Sequence, residues 1–171
     1  MRLIGLDPGL RISGWGVIDV EGNRLSHVAD GVVRTTPDRS LPDRLVELYE
    51  GLVQIIEQYK PDEAAVEETF LNKNPGSTLK LGQARGIVLL APARMGMPVA
   101  EYSANLIKKS VVGTGHAAKE QVGMMIKTLL PGCELKTPDA ADALAVAVCH
   151  SHHRATNNAW AKAQVMAGAS K

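Results

Sequence analysis

Apolar and polar positions alternate in short runs over the first 35 residues, the period of half-buried strands. Runs at 2–8, 13–20 and 24–35 predict three strands, with "EGN" (Glu21 to Asn23) turning the second into the third and Gly9, Gly14 and Gly16 read as bends. From Leu41 the period changes. Leu41, Leu45, Leu48, Leu52, Ile55 and Tyr59 recur at alternating spacings of four and three, one face of a helix that closes before Pro61. "DEAAVEETF" (Asp62 to Phe70) predicts a fourth strand, parallel to the first after that helical crossover, and "MPVAEYS" (Met97 to Ser103) a fifth. Between them, after the loop "NKNPGS", Leu81, Ala84, Val88, Ala91 and Met95 mark a helix that Ser77 or Thr78 caps and Pro92 bends or ends. Ile87 and Leu90 widen its apolar zone, so it is expected to be covered on two sides, by the sheet and by a second copy of the chain.

Two helical segments, near 104–111 and 117–130, precede a last helix in "KTPDAADALAVAVCHSHH" (Lys136 to His153). Thr137 is placed to cap that helix, Pro138 suits its first turn, and Asp139 meets the positive end of the dipole. His150, His152 and His153 read as polar residues at its C-terminal end. From Ala155 the chain is rich in Ala, Asn and Lys with little periodicity and reads as a flexible tail over 155–171, leaving one domain over 1–154. This order describes an α/β sheet with an antiparallel edge made by hairpins and a parallel part made by crossovers.

Composition narrows the class. With 45% hydrophobic and 22% charged residues the 171-residue chain reads as a globular domain. No run approaches the roughly 20 apolar residues of a membrane span, and Asp7 interrupts any signal-peptide pattern at once. A cytoplasmic location is expected, without a membrane partner. Cys133 and Cys149 form no CxxC and read as packing residues in a reducing compartment. The net charge of +1 conceals an asymmetry: residues 1–70 hold seven Lys/Arg against thirteen Asp/Glu, and residues 71–127 hold eight against two. The basic middle comprises Lys73, Lys80, Arg85, Arg94, Lys108, Lys109, Lys119 and Lys127, a surface suited to a polyanion.

Certain carboxylates interrupt the pattern. Asp7 stands at the end of an apolar strand, just before Pro8 and Gly9, and a buried unpaired charge costs several kcal/mol. Crossover geometry brings the fourth strand beside the first, where Glu67 and Glu68 alternate faces, so one of the two shares Asp7's face. Asp139 and Asp142, three apart, share one side of the last helix. Like charges about 4 Å apart repel by about 1 kcal/mol in water and about 4 kcal/mol at an effective dielectric near 20. Two Mg²⁺ ions, with Mn²⁺ as a substitute, would neutralise four such acids. An all-oxygen set suits these ions, and the absence of a Cys/His cluster near the acids argues against zinc. Paired cations of this kind clamp the attacking and leaving oxygens of a phosphoryl displacement.

"GLDPGLRISGWGVI", "VEETFLNKNPGSTLKLGQARG", "VVGTGHAAKEQV" and "DAADALAVA" together resemble the RuvC family of Holliday junction resolvases over residues 1–153. The resemblance implies an RNase H-like fold: a five-stranded mixed sheet, its first three strands antiparallel, flanked by helices. It further implies a homodimer performing Mg²⁺-dependent cutting of four-way DNA junctions into paired nicks with 5′-phosphate and 3′-OH ends. RuvA and RuvB are the implied partners. It selects Asp7, Glu67, Asp139 and Asp142 as metal ligands and Lys119 and Lys108 as catalytic-site lysines, with Lys109 adjacent. Phe70 matches an aromatic at the junction crossover, a stacking wedge on DNA. Lys73, Lys80, Arg85 and Lys109 are the further DNA-contact candidates. "LDPG" alone is shared with actin-like and sugar-kinase ATPases, but those need a second lobe. The remaining alternatives are a junction-binding module without catalysis and an RNase H-like nuclease with another substrate.

Overall fold

In β1 (Arg2–Asp7) Leu3 faces one side of the sheet while Ile4 and Leu6 face the other, and each side carries its own core. The computed structural model describes residues 1–68 and 75–168, with side chains as far as Arg154. β2 (Ile12–Glu21) and β3 (Arg24–Arg34) follow as antiparallel neighbours. α1 (Leu41–Tyr59) then crosses over to β4 (Glu63–Glu67), which lies parallel to β1. α2 (Pro75–Arg94) leads to β5 (Val99–Tyr102), parallel to β4, and the sheet order is β3-β2-β1-β4-β5. α3 (Ala104–Val112), α4 (Lys119–Leu129) and α5 (Pro138–Gly168) complete the chain.

α1 and α2 cover one face, where Leu48, Leu52, Ala84 and Val88 pack on Ile4, Leu6, Val17 and Val66. The other face receives α3, α4 and α5, with Ile107, Val122, Ile126 and Leu144 against Leu3, Ile18 and Ala65. Local signals place most boundaries. Ser40 caps α1, accepting from the Asp43 N–H at 3.4 Å, and Lys60 closes it in the left-handed region at φ 48°. Pro92 lies inside α2, which ends two residues later as the Met95 and Gly96 N–H groups bond to Pro92 and Ala93 carbonyls. Thr137 caps α5 through its Oγ1, 3.3 Å from the Ala140 N–H.

Four expectations are corrected. Ser77 and Thr78 do not cap α2 but lie within its first turn, because the helix begins at Pro75. Gly14 and Gly16 are not bends but interior positions of β2. A Cβ at Gly14 would overlap the Asp139 carbonyl oxygen and one at Gly16 the Leu144 side chain, so these glycines let α5 lie directly on the sheet. α5 does not end near 154 but continues to Gly168. The Ala-rich stretch read as a tail has high helix propensity without needing an apolar face. His150 is buried rather than terminal, its Nδ1 2.8 Å from the Tyr102 hydroxyl and its Nε2 2.9 Å from Glu63. Among the described residues no helix is long and apolar enough to cross a membrane.

Candidate active site

Parallel pairing fixes the first two acids. Leu6 pairs with Val66, so the next residues, Asp7 and Glu67, end adjacent strands at the same edge. Alternation gives Asp7 the face of Leu3 and Glu67 the face of Ala65, both toward α5. Glu68 belongs to the opposite parity and is exposed. The turn after Asp7 is held by Ser13, whose Oγ donates to the Gly9 carbonyl at 2.6 Å and accepts from the Gly9 N–H at 3.1 Å.

α5 brings the next pair. Its first turn presses on β2 at Gly14, the residue paired with Asp7. Asp142 thereby joins Asp7 and Glu67 around a cavity of about 190 Å³. Lys108 of α3 and Lys119 of α4 supply its cations, and Ala104, Ile107, Val122 and Ala145 its apolar wall. Lys119 Nζ lies 2.8 Å from Asp142. Asp139 stands one helical turn before Asp142, outside the lining but near enough for its charge to act on Asp7.

The electrostatics follow from that crowding. Burial, then the charges of Glu67, Asp142 and Asp139, push the Asp7 carboxyl up to about 8, against the pull of Lys119. Burial and Asp142 raise Glu67 as well, with Lys119 and Lys108 opposing. The hydrogen bond and charge of Asp142 hold Lys119 above its ordinary value. Among the described residues no hydrogen bond reaches the Asp7 carboxylate. Two lysines leave four acids under-neutralised, and every donor is a hard oxygen, so the residues fit Mg²⁺ or Mn²⁺ and not a soft metal.

Lys108 lines the cavity, while Lys109, one residue on, is exposed and does not. Arg85 is ion-paired with Glu101. Phe70 and Lys73 lie outside the described residues. Lys80 opens on a separate groove of about 500 Å³, together with Arg11, Arg44 and Ser77. Sequence reasoning passed over Arg11 and Arg44, which sit in the acidic first third. The available signal was Arg11's position in the turn that follows Asp7. Arg44 is oriented by Thr35, whose Oγ1 accepts from its Nε at 3.0 Å.

Adjacent parallel strands ending in carboxylates, with a helix laying further acids across them, define an RNase H-like nuclease. The family model described as crossover junction endodeoxyribonuclease RuvC matches residues 3–150. The chain belongs to that family. A relative of the same description from Paramagnetospirillum magneticum is 66% identical over 163 residues, covering 95% of this chain and 98% of its own. One from Rhodospirillum rubrum is 67% identical over 155 residues, covering 91% and 92%. Among solved structures, Thermus thermophilus RuvC in complex with a Holliday junction substrate superposes with a TM-score of 0.85 at 31% identity, covering 92% of this chain and 96% of that one. The yeast mitochondrial Holliday junction resolvase Ydc2, at 15% identity and a TM-score of 0.63 over 90% and 78% of the two chains, shares the fold.

Proposed function

We propose that this chain resolves four-way DNA junctions by hydrolysing one phosphodiester in each of two opposed strands, leaving 5′-phosphate and 3′-OH ends. The observation that carries this reading is the convergence of Asp7, Glu67 and Asp142 with Lys108 and Lys119 in one cavity, with Asp139 one turn away. The four acids are the proposed ligands of two Mg²⁺ ions, for which Mn²⁺ substitutes. When bound, such cations activate the attacking water and offset charge on the leaving 3′-oxygen. The chain's own groups do the positioning. Asp7 and Glu67 are fixed by strand ends, Asp139 and Asp142 by the capped start of α5, and the lysines approach from the helices opposite.

Lys119 is 72% exposed at its side chain although paired with Asp142, so it can turn toward an arriving phosphate without leaving the acid. Removing a preorganised donor of this kind costs on the order of 10²-fold in turnover. Lys119→Ala is therefore expected to lower the single-turnover cleavage rate by about that factor with little change in junction affinity. An unchanged rate would make Lys119 only a partner of Asp142.

Arg11, Arg44 and Lys80 line the proposed path for the DNA backbone beyond the cavity. Leu79 and Leu90 on α2 are 66% and 50% exposed, which supports α2 as the contact between two copies of the chain. A two-fold dimer presents two sites to two strands. RuvA and RuvB remain the expected partners in branch migration.

The deciding experiment incubates the protein with a synthetic four-way junction and with a linear duplex of the same sequence, in Mg²⁺ and in EDTA. Paired symmetric nicks in the junction alone, lost in EDTA, are expected. Binding without nicks would reduce the chain to a recognition module, and equal cutting of the duplex would assign it another substrate.

A further inference from the structure

Remote from the carboxylate cavity, β3 carries a second convergence of ligating side chains. On a regular strand His27 and Asp30, three apart, would stand on opposite faces. Here the β2–β3 register shifts between Val17 and Ile18. Ile18 pairs with His27 and Val17 with Ala29, which leaves Val28 as the extra residue of a β-bulge. Val28 and Ala29 both pack toward α1 and α2 as a result, and Asp30 returns to the face of His27.

On that face His27 Nε2 lies 2.7 Å from an Asp30 carboxylate oxygen. Cys133 arrives from the segment joining α4 to α5, its Sγ 3.9 Å from the same oxygen. One nitrogen, one oxygen and one sulfur thus lie within 4.8 Å of one another. The Asp30 side chain is only 7% exposed, and among the described residues its charge meets just an imidazole and a weak thiol donor.

We propose that His27, Asp30 and Cys133 form a binding site for a borderline-soft divalent transition cation of the Zn²⁺ type, completed by a solvent ligand. Thiolate, imidazole and carboxylate are the donors such ions take in tetrahedral sites, and a sulfur ligand discriminates against Mg²⁺. Ligand bonds of about 2.0–2.3 Å at tetrahedral angles set neighbouring donors roughly 3.3–3.7 Å apart. The His27–Asp30 pair must open by about half an ångström, and Cys133 must close on Asp30 by a few tenths and on His27 by up to about an ångström, within the reach of side-chain rotation. A groove of about 450 Å³ lined by His27, Thr128, Leu129 and Pro131 reaches the imidazole and is the path by which a solvent ligand would enter.

The site would tie edge strand β3 to the segment between Leu129 and Pro138. That segment runs from the helix bearing Lys119 to the helix bearing Asp139 and Asp142. A bound cation would act there as a clamp and take no part in the cleavage chemistry.

Cobalt(II) is the probe. Titrated into the reduced full-length protein, it should give a near-ultraviolet thiolate-to-cobalt charge-transfer band and intense visible absorption at one ion per chain. The all-oxygen cavity cannot produce that band, so junction cleavage and this site are tested separately. Zn²⁺ should bleach the signal and excess Mg²⁺ should not. Cys133→Ser should lose the band while Cys149→Ser keeps it. His27→Gln should weaken cobalt binding by more than the roughly 10- to 100-fold that loss of an outer partner brings. No band in the unmodified protein, a band that survives Cys133→Ser, or undiminished affinity in His27→Gln would overturn the proposal. The three groups would then be a thiol–carboxylate–imidazole hydrogen-bonded chain.

Discussion

Asp7→Asn is expected to reduce junction cleavage by on the order of 10³-fold while leaving junction binding intact and making the metal-free protein more stable above neutral pH. The first half follows from position: Asp7 is the acid whose field is set by all three of the others. The second half follows from the same crowding. In the fold the Asp7 carboxyl titrates at about 8 against an ordinary value of 3.8. Between those values the folded chain binds more protons than the unfolded chain, and stability falls as pH rises. Asp7's contribution is complete below about pH 4 and is lost as pH climbs through about 8. Glu67, also raised, acts in the same direction.

Asparagine has no charge to desolvate, so the variant should lack that decline. Melting temperatures from pH 5 to 9 in EDTA, taken as variant minus parent, isolate the effect from every other titrating group. The difference should grow with pH. Saturating Mg²⁺ should restore the parent at pH 8, by about 2.7 kcal/mol at a hundred times its Kd, and should do less for the variant. A difference that is flat in pH would mean that Asp7 is better solvated than its burial implies. Joint loss of cleavage and binding would mean that Asp7 holds the fold together and has no role particular to hydrolysis.

What the sequence reveals about this site has a physical boundary. Alternation along a strand shows that an acid such as Asp7 sits in the wrong chemical company, and i, i+3 spacing pairs Asp139 with Asp142, because both depend only on local geometry. Alternation also reduces Glu67 and Glu68 to one, but not which; that needs the register, Leu6 against Val66. Lys108 and Lys109 are separated only by how α3 rotates against α4 and α5. The bulge at Val28 is equally hidden, since a slip in pairing depends on the partner strand; Cys133 packs in the core as its sequence context suggests, but its approach to Asp30 is seen only when β3 and the α4–α5 connection are viewed together. Gly14 and Gly16 show the limit most plainly. Glycine in a sequence signals freedom to turn; here it signals that something lies too close for a side chain, and what lies close comes from more than a hundred residues further along.

That reading of Gly14 makes Gly14→Ala the most demanding test of how the site is built. One methyl group at this position would overlap the carbonyl oxygen of Asp139, a backbone atom in the capped first turn of α5. No flexible side chain can move aside. Either that turn lifts or β2 yields, and the overpacking should cost about 1–3 kcal/mol. The functional loss should exceed what that figure implies. Gly14 pairs with Asp7, and the displaced turn carries Asp139 with Asp142 behind it, so a single shift separates the strand acids from the helix acids. A misplacement of about 1 Å costs on the order of 10²-fold in rate. The comparison is Gly123→Ala in α4, where a Cβ meets only Leu135 Cδ1 at 3.8 Å and cleavage should persist. There a helix-interior glycine replaced by alanine should add roughly 0.5–1 kcal/mol of stability. Cleavage measured well below both melting temperatures, with junction binding measured in parallel, separates geometry from unfolding. Parent-like cleavage by Gly14→Ala would show that the acids tolerate the shift. The carboxylate set would then be held by the cations proposed for it, and the contact between α5 and the sheet would be packing alone.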